Sequence, residues 1–525
     1  MVTAKGAIKA GIMLPVLALP ATALAKKQPN IIFFLIDDNG WVDRQVAYGG
    51  EVYPNNLRFD TPNECRLASE GVIFGNAYAC PVSTPTRASL ITGTNAARAR
   101  ITNWTSPTAN VPSDAVGGSK DMTVPGAPAE GDRLWHGEWN WNGVSPVEGV
   151  PNTLYAKPLP QLLKEAGYYT IHVGKAHWAP AGTPGSNPYS MGFCVNVAGT
   201  EAGMPRSYQG RDNYGNTPEK WNYAAVQNME EYYGTDTHLT EALTREALKV
   251  LDYPVAHGQP FYLYLAHYAT HTPIQADERF FKKYRERGMD KGQARYASMC
   301  EGVDKSLGDL YAYLEEHKLL DNTIIILMSD NGGNADVKAK GGVPHTQNAP
   351  LREGKGSVYE GGIRVPLAIR WPGKVKPGSR VDAPVMCEDI FPTILHMAGI
   401  SRWNVPQPVD GVDLVPVIQG KAQADPDRAV IFNYPHKWKP EYRPEVDFMS
   451  SIRKGDWKLV YVMWEGRLEL YNLRDDIGES RDVASSHPDI VASLSKELSD
   501  SLRRWNCPQP IKIATGTPVP MADEL

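Results

Sequence analysis

The stretch Ile31-Ile32-Phe33-Phe34-Leu35-Ile36, followed at once by Asp37-Asp38-Asn39-Gly40, decides which fold we expect for the chain. An unbroken apolar run, without the alternation of a half-exposed strand, is typical of a strand buried on both faces of a parallel sheet. The two aspartates after the run have two interpretations. They either belong to a turn or helix cap, or they form a ligand pair at the end of the strand.

Further apolar segments predict strands at residues 168–173, 261–266 and 323–328, and segments with helical periodicity alternate with them. The predicted helices cover residues 61–71, 240–251, 294–316 and 387–400. This alternation predicts an α/β fold in which helices flank a large, mostly parallel central sheet. Open sheets of this kind bind ligands beyond the carboxyl ends of their strands. Polar side chains follow each predicted strand there, namely Asp37 and Asp38, Lys175 and His177, His267 and His271, and Asp330 and Asn331.

The chain of 525 residues exceeds one typical core, so we expect two domains. Beyond about residue 425 the pattern changes to short alternating segments at 452–461 and 468–473, followed by a helical segment at 491–505. Such a pattern indicates an antiparallel sheet covered by a helix. We therefore predict a large domain over residues 26–425 and a smaller C-terminal α+β domain over residues 426–525.

The N-terminus has the features of a secretory signal. Lys5 and Lys9 precede an apolar run over residues 10–24 that ends in an Ala-x-Ala cleavage site. A membrane anchor is the alternative, but the run is short and contains two prolines. We expect residues 1–25 to be a signal peptide, the mature protein to be periplasmic or secreted, and the protein to lack a stable membrane anchor.

Charge and cysteine spacing limit the partners, metals and disulfides that we expect. A net charge of −5 gives no reason to expect nucleic acid as a partner. The six cysteines are scattered without the paired spacing of a zinc site. Export would permit disulfides, but spacing alone cannot assign them, and we expect most thiols to be free.

The segment from Cys80 to Gly93, Cys-Pro-Val-Ser-Thr-Pro-Thr-Arg-Ala-Ser-Leu-Ile-Thr-Gly, is the candidate for the reaction centre. Pro85 suits the first turn of a helix, where its missing N–H group has no cost. Ser83 would then lie at the helix N-terminus, where free N–H groups and the helix dipole favour an anion. The segment therefore predicts a nucleophile next to an anion site.

This segment resembles the signature of the formylglycine-dependent (type I) sulfatases in its serine form, Ser-x-Pro-x-Arg followed by Thr-Gly. Counted from Ser83, the proline and arginine positions are Pro85 and Arg87, whereas counting from Cys80 places other residues there. The resemblance implies an arylsulfatase-like enzyme with an alkaline-phosphatase-like fold. It also implies that a serine-type maturating enzyme oxidises Ser83 to formylglycine (3-oxoalanine).

The acidic residues at the strand ends offer only oxygen ligands, which suits calcium or magnesium and argues against zinc. The resemblance implies calcium, held by Asp37, Asp38, Asp330 and Asn331, with the modified Ser83 completing the shell. It further implies that one hydroxyl of the hydrated aldehyde attacks sulfur and that the other later expels sulfate.

The resemblance also implies roles for the basic residues. Lys175 and Lys355 would bind sulfate as point charges, and Arg87 would hold the modified side chain. His177 would be the base and His271 the acid that protonates the leaving alcohol. The substrate-binding set expected from the sequence is Lys175, His271, His345 and Lys355, although His345 and His267 have packing as an alternative.

The substrate class is the least constrained point. The resemblance implies a bacterial enzyme acting on a sulfated polysaccharide or its oligosaccharides. An insert over residues 103–151 is rich in tryptophan, and its rings either stack on sugars or pack on one another as a lid: Trp104, Trp135, Trp139 and Trp141. Two alternatives are a phosphomonoesterase or phosphodiesterase of the same superfamily, which would need more histidine ligands, and an inactive glycan-binding homologue.

Overall fold

The computed structural model describes residues 28–113, 130–217, 222–334, 348–437 and 443–525. The expected signal peptide over residues 1–25 and the candidate His345 lie outside these residues. In the described part of the chain, no helix combines the length and the apolar character that crossing a bilayer requires.

Strands of the large domain fall where the apolar runs predicted them, with several short additions. In chain order they are β1 (Asn30–Ile36), β2 (Val72–Phe74), β3 (Ala77–Tyr78), β4 (Leu134–Trp135), β5 (Val144–Ser145), β6 (Leu154–Tyr155), β7 (Tyr169–Gly174), β8 (Val195–Val197), β9 (Phe261–Ala266), β10 (Thr323–Ser329), β11 (Leu367–Arg370), β12 (Ser379–Val381) and β13 (Val385–Met386).

The central sheet of the described residues has the strand order β12-β2-β11-β10-β1-β9-β7-β8. Strand β1 is at its middle, parallel to both β10 and β9. Strand β11 runs antiparallel to its two neighbours, so the sheet is mixed but mostly parallel.

Helices cover both faces of this sheet. They are α1 (Pro62–Glu70), α2 (Ser83–Thr92), α3 (Ala96–Ala99), α4 (Leu159–Glu165), α5 (Leu239–Ala256), α6 (Glu278–Glu286), α7 (Lys291–Glu316), α8 (Glu360–Ile363), α9 (Ile390–Met397) and α10 (Val415–Ile418). Short 3-10 helices include Pro54–Arg58, Pro184–Ser186, Gly210–Gly215, Glu230–Tyr232, Leu320–Asn322 and Cys387–Asp389.

The unbroken apolar run of β1 is explained by these two helical layers. Ile31, Phe33 and Leu35 join the core with α2, α4 and α9, whereas Ile32 and Phe34 join the core with α5 and α7. Because successive side chains of a strand point to opposite faces, both sets must be apolar. Every residue of β1 is buried.

The smaller C-terminal part contains an antiparallel sheet in the order β14-β15-β16-β17. Its elements are β14 (Val430–Tyr434), β15 (Met449–Lys454), β16 (Trp457–Val462), β17 (Arg467–Asn472), α11 (Pro488–Arg504), β18 (Ile511–Lys512) and β19 (Thr517–Pro518). One face packs under α11 through Leu494, Leu498 and Leu502. The other face packs against Val82 and Val358 of the large domain, next to Ser83 and Lys355.

These observations confirm the predicted fold class, and several element boundaries differ from prediction. Helix α5 continues to Ala256 rather than ending at 251, and α11 begins at Pro488 rather than 491. Helix α7 begins at Lys291 rather than 294 because the Asp290 carboxylate accepts hydrogen bonds from the Gly292 and Gln293 N–H groups. The helix expected over residues 387–400 is a 3-10 turn followed by the shorter α9, and Asp389 at their junction accepts from the N–H group of Met386. The domain boundary near residue 425 stays a prediction.

Candidate active site

The pairing of β1 with β10 builds the acidic floor of the site. Ile36 pairs with Ser329 at the end of the parallel ladder, so the residues that follow leave the sheet side by side. The Asp38 N–H group donates to Asp330 Oδ1 over 3.2 Å. The carboxylates of Asp37, Asp38 and Asp330 are fully buried, and one oxygen of each lies within 4.8 Å of the others.

Ser83 is the first residue of α2, as the position of Pro85 predicted. Val82 before it is extended, with φ −140° and ψ 165°, which turns the chain into the helix. All residues of α2 are buried, because the helix packs between the sheet and α9. The sequence here therefore encodes a fixed helix N-terminus rather than a mobile loop.

The Ser83 hydroxyl lies at the centre of the predicted residues. Its Oγ is 2.7 Å from Asp330 Oδ2, 2.9 Å from Lys175 Nζ, 3.3 Å from Asp37 Oδ1 and 3.4 Å from Asn331 Oδ1. Residues from four separate elements thus meet at one oxygen atom.

Arg87 lies one turn along α2 from Ser83 and is fully buried. Its Nε and Nη2 donate to Asp330 Oδ2 over 3.0 and 2.8 Å, and its Nη1 donates to the Lys175 carbonyl over 2.9 Å. Burial alone would raise the pKa of Asp330, but the positive charges of Arg87 and Lys175 outweigh it and hold that pKa below its usual value. Arg87 therefore keeps Asp330 ionised and fixes the start of the Lys175 segment.

Lys175 follows β7 directly, and Gly174 makes its position possible. Gly174 has φ +95°, and an added Cβ would collide with the Ala266 carbonyl oxygen, to which the Lys175 N–H group donates. Lys175 Nζ donates to Asp37 Oδ2 over 2.6 Å. Burial, together with the negative charge of Asp330, raises the pKa of Asp37 to about 8, and burial lowers the pKa of Lys175 to about 8.

Lys355 reaches the site from the opposite side. Its Nζ donates to Asp38 Oδ1 over 2.6 Å. Burial opposes the charge of Lys355, but the three aspartates outweigh it and raise the Lys355 pKa. The Lys355 and Gly356 N–H groups donate to the carbonyls of Gly333 and Pro81, so this loop joins β10 to the chain before Ser83.

His177 lies beside the first turn of α2. Its Nε2 is 3.2 Å from the Thr105 carbonyl, and its Nδ1 is 3.4 Å from Thr84 Oγ1. A carbonyl can only accept, which assigns the ring proton to Nε2 and leaves the Nδ1 lone pair available. Burial and the positive charges of Lys175 and Arg87 hold the pKa of His177 well below its usual value. The imidazole is therefore neutral, as a base must be.

His271 follows β9 and faces the acidic floor. Its Nδ1 lies 2.9 Å from the Thr272 carbonyl, which leaves Nε2 pointing at Asp38 Oδ2 over 3.6 Å. Burial lowers the pKa of His271 to about 3, against the attraction of Asp38. The described structure thus holds a neutral His271 at the position expected for the acid.

The acidic floor has the donor chemistry of a hard-cation site. Three buried carboxylates and the side-chain amide of Asn331 supply oxygen atoms only, which is the ligand class that Ca²⁺ and Mg²⁺ prefer. Burial and, after it, the negative charge of Asp330 raise the pKa of Asp37, so the charged form of this cluster is costly without a cation. A divalent cation would offset that cost, so the residues present fit the predicted metal.

Comparison with known proteins identifies the family. The family model described as Sulfatase matches residues 29–400 of this chain. The chain belongs to the sulfatase family. A second model, N-sulphoglucosamine sulphohydrolase, C-terminal, matches residues 354–505. The protein is therefore a sulfuric ester hydrolase.

Individual relatives agree with this assignment. The N-acetylgalactosamine-6-sulfatase of Homo sapiens is 30% identical, over 88% of this chain and 76% of that protein. A sulfatase of Formosa agariphila is 26% identical, over 92% of this chain and 89% of that protein. Among solved structures, Ps i-CgsB superposes with a TM-score of 0.68 at 27% identity, over 90% of this chain and 93% of that one. A second structure shows Ps i-CgsB with k-i-k-neocarrahexaose.

A pocket of about 330 Å³ opens above Ser83 in the sulfatase. Lys175, His177, His271 and Lys355 line its inner end together with Ser83. Its rim contains Trp104 from the tryptophan-rich insert, together with residues that the sequence analysis did not select: Thr105, Pro107, Glu201, Gly203, Met204 and Tyr223. The segment that begins at Glu201 has no secondary-structure pattern, and nothing in its sequence indicated that it would border the site.

Several residues that the sequence analysis considered for the site lie away from the pocket. His267 is buried, with its Nε2 2.9 Å from Ser306 Oγ, so packing is its role in the structure. Trp139 is buried against Trp141 and His436. Trp104 alone of the four tryptophans in the insert lines the pocket, and its stacking on a sugar ring stays a prediction.

Proposed function

We propose that this sulfatase hydrolyses sulfate monoesters on carbohydrates, using a formylglycine derived from Ser83 and a bound calcium ion. The observation that carries the proposal is the position of Ser83 Oγ, which lies within 3.4 Å of Lys175, Asp330, Asp37 and Asn331. Relatives whose names specify a sulfated sugar support the carbohydrate class.

Formylglycine would form when a serine-type maturating enzyme removes two hydrogen atoms, as two electrons and two protons, from the Ser83 hydroxymethyl group. The hydrated aldehyde supplies a nucleophilic hydroxyl and a second hydroxyl whose deprotonation releases sulfate. An unmodified serine is a weak nucleophile at neutral pH. Arg87 and Lys175 hold the surroundings of Ser83 rigid, so the modified side chain needs no rearrangement of its neighbours.

The calcium ion would be held by Asp37, Asp38, Asp330 and Asn331, with the modified Ser83 as a further ligand. When bound, it supplies positive charge that gathers sulfate oxygens, and electrostatic stabilisation of this kind usually contributes more to catalysis than any other effect. Lys175 and Lys355 flank the same point and bind the remaining sulfate oxygens as point charges.

Two histidines handle protons in this proposal. His177 Nδ1 carries the available lone pair and takes a proton beside residue 83. His271 Nε2 faces the pocket. Because the Nδ1–H group is directed at the Thr272 carbonyl, Nε2 must first take up a proton, which it then delivers to the oxygen of the leaving alcohol. His345, expected to contact the substrate, stays a prediction.

The rival functions lack a comparable observation. The metal-ligand cluster found among the described residues consists of three aspartates, whereas the two-metal phosphatase interpretation called for several histidines. An inactive homologue would have lost part of the site, but every predicted catalytic side chain within the described residues lies at or beside Ser83.

We also propose export, on the basis of residues 1–25 alone. N-terminal sequencing of protein recovered from the periplasm or medium tests it. Cleavage after Ala25 is the expected result, and an uncleaved cytoplasmic protein would contradict it.

The function is tested with a panel of sulfated sugars assayed for released sulfate in the presence of calcium. The panel contains sulfated monosaccharides, glycosaminoglycan disaccharides, algal oligosaccharides and 4-methylumbelliferyl sulfate. We expect turnover of at least one sugar sulfate to exceed that of the aryl sulfate, and Ser83→Ala to abolish all turnover. Faster turnover of the aryl sulfate than of every sugar tested would refute the carbohydrate assignment.

A further inference from the structure

The rim of the pocket carries a carboxylate that the proposed chemistry does not use. Glu201 lies in the pocket wall and is half-buried. Burial raises its pKa above the usual value; a hydrogen bond from the backbone N–H group of Glu201 opposes this in part, and no basic side chain of the described residues does so. A partly desolvated carboxylate without a cationic partner is costly unless something else donates hydrogen bonds to it.

The charge of Glu201 determines which part of a substrate it can face. The inner end of the pocket is cationic through Lys175 and Lys355, so an anionic sulfate group is held there, at Ser83. A carboxylate is an acceptor only, so Glu201 repels sulfate. It must instead face the remainder of the substrate, where hydroxyl or amide N–H groups can donate to it.

The segment around Glu201 is fixed relative to the catalytic base. The backbone N–H group of His177 donates to the Thr200 carbonyl over 3.1 Å. A Cβ added to Gly203 would lie 2.6 Å from the His177 ring, so the chain packs directly on the imidazole. Glu201 is therefore held at a set distance from the reaction centre.

Trp104 contributes the second wall. It is half-buried and lines the pocket, and its neighbour Thr105 binds both His177 and Thr84. An indole offers a flat apolar surface against which the C–H groups of a sugar ring can pack. Trp139, by contrast, is buried against other rings and is closed to ligands.

We propose that Glu201 and Trp104 form a subsite for the one sugar ring that carries the sulfate, that this ring is uncharged, and that Glu201 excludes a uronate there. This inference rests on the proposed carbohydrate sulfatase function. The pocket volume of about 330 Å³ is near the lower end of the range for small-molecule sites, which fits one ring rather than several.

Binding is measured first, by calorimetry on Ser83→Ala protein, which cannot turn the ligand over. The ligands are N-acetylgalactosamine 6-sulfate, galactose 6-sulfate and a 2-O-sulfated uronic acid. Glu201→Gln keeps the shape and removes the charge, so we expect affinity for the neutral sugars to fall about tenfold. The ratio of the affinity for a neutral sugar to the affinity for the uronate should fall by a similar factor in Glu201→Gln. Trp104→Ala should weaken the binding of all three ligands.

The matched control is Glu230→Gln, the same change at an exposed residue outside the pocket, which should leave all affinities unchanged. Equal affinities with and without the Glu201→Gln change, or a preference for the uronate when Glu201 is intact, would overturn the subsite. Turnover by protein that retains Ser83 separates the two proposals. If the binding pattern holds and no sugar loses sulfate, the proposed function fails and the subsite stands.

Discussion

Lys175 and Asp37 form a fully buried ion pair, with Nζ 2.6 Å from Oδ2, and the same Nζ lies 2.9 Å from Ser83 Oγ. Lys355 pairs with Asp38 in the same way. Arg87 forms an ion pair with Asp330. Three cationic side chains therefore contact three carboxylates. A bound divalent cation would therefore give this floor a net positive charge, which attracts an anionic sulfate ester.

Calcium should stabilise the protein measurably. A ligand that binds only the folded state adds about 2.7 kcal/mol to the free energy of unfolding at about 100 times its Kd. We expect thermal unfolding to shift upward with calcium and Asp330→Asn to abolish the shift. Asp321→Asn, at an exposed residue before β10, should retain it. A wild-type protein that does not respond to calcium would contradict the metal assignment.

Arg87→Lys should impair the enzyme although it keeps the charge. A lysine cannot reproduce the paired contacts to Asp330 Oδ2 and the bond to the Lys175 carbonyl. Losing charge-assisted hydrogen bonds of this kind lowers kcat/KM by roughly tenfold to a hundredfold. Steady-state kinetics measure the effect, and Arg98→Lys, at a partly exposed pair with Asp410, serves as the control. Equal rates for both variants would refute the role of the paired Arg87 contacts.

The pH dependence should report a neutral His177. The base form is required, and its pKa is lowered by burial and by Lys175 and Arg87. A lowered pKa means that the base form persists as pH falls, and that activity declines only below the lowered value. We therefore expect that no decline in kcat/KM between about pH 8 and about 6.5, the usual histidine pKa, is due to His177, and that the His177 limb lies below that range. A decline in kcat/KM that is centred above about pH 6.5 in the wild-type enzyme and absent from the His177→Gln variant would contradict this.

The C-terminal sheet should control the position of Lys355. Lys458 Nζ on β16 lies 2.9 Å from Glu360 Oε1 and 2.8 Å from Glu479 Oε1, all buried, and Glu479 accepts from the Glu360 N–H group over 2.6 Å. Glu360 begins α8, directly after the Lys355 loop. Lys458→Met leaves two buried carboxylates without their shared cation, which costs about 3–5 kcal/mol.

Denaturant unfolding measures that loss, and KM should rise more than kcat falls because Lys355 binds substrate. The control is Lys454→Met on β15, whose pair with Glu497 is partly exposed and is worth about 1 kcal/mol or less. Similar losses for the two variants would show that the buried network has no special role.

Sequence reasoning located the strands and the residues at their ends because both follow from local pattern. The β1 run is apolar on both faces since helices cover both, and parallel pairing with β10 then brings Asp37 next to Asp330. The short strands β4, β5 and β6 were missed because two-residue strands carry no periodicity.

The rim of the pocket could not be predicted for a different reason. Glu201 belongs to a segment without helical or strand periodicity, and its position depends on how the chain after β8 folds back onto His177. Likewise, composition could not distinguish Trp104 from Trp139. The tertiary structure buries Trp139 and leaves Trp104 in the pocket wall. The Lys458 network joins residues about a hundred positions apart and has no sequence signature.

The mass of the peptide that contains Ser83, taken from protein with measured sulfatase activity, is the decisive test of the formylglycine mechanism. We predict a peptide lighter than the encoded one by two hydrogen atoms and reactive toward an aldehyde-specific hydrazide, with activity proportional to the modified fraction. A fully active preparation in which Ser83 is entirely unmodified would contradict this mechanism.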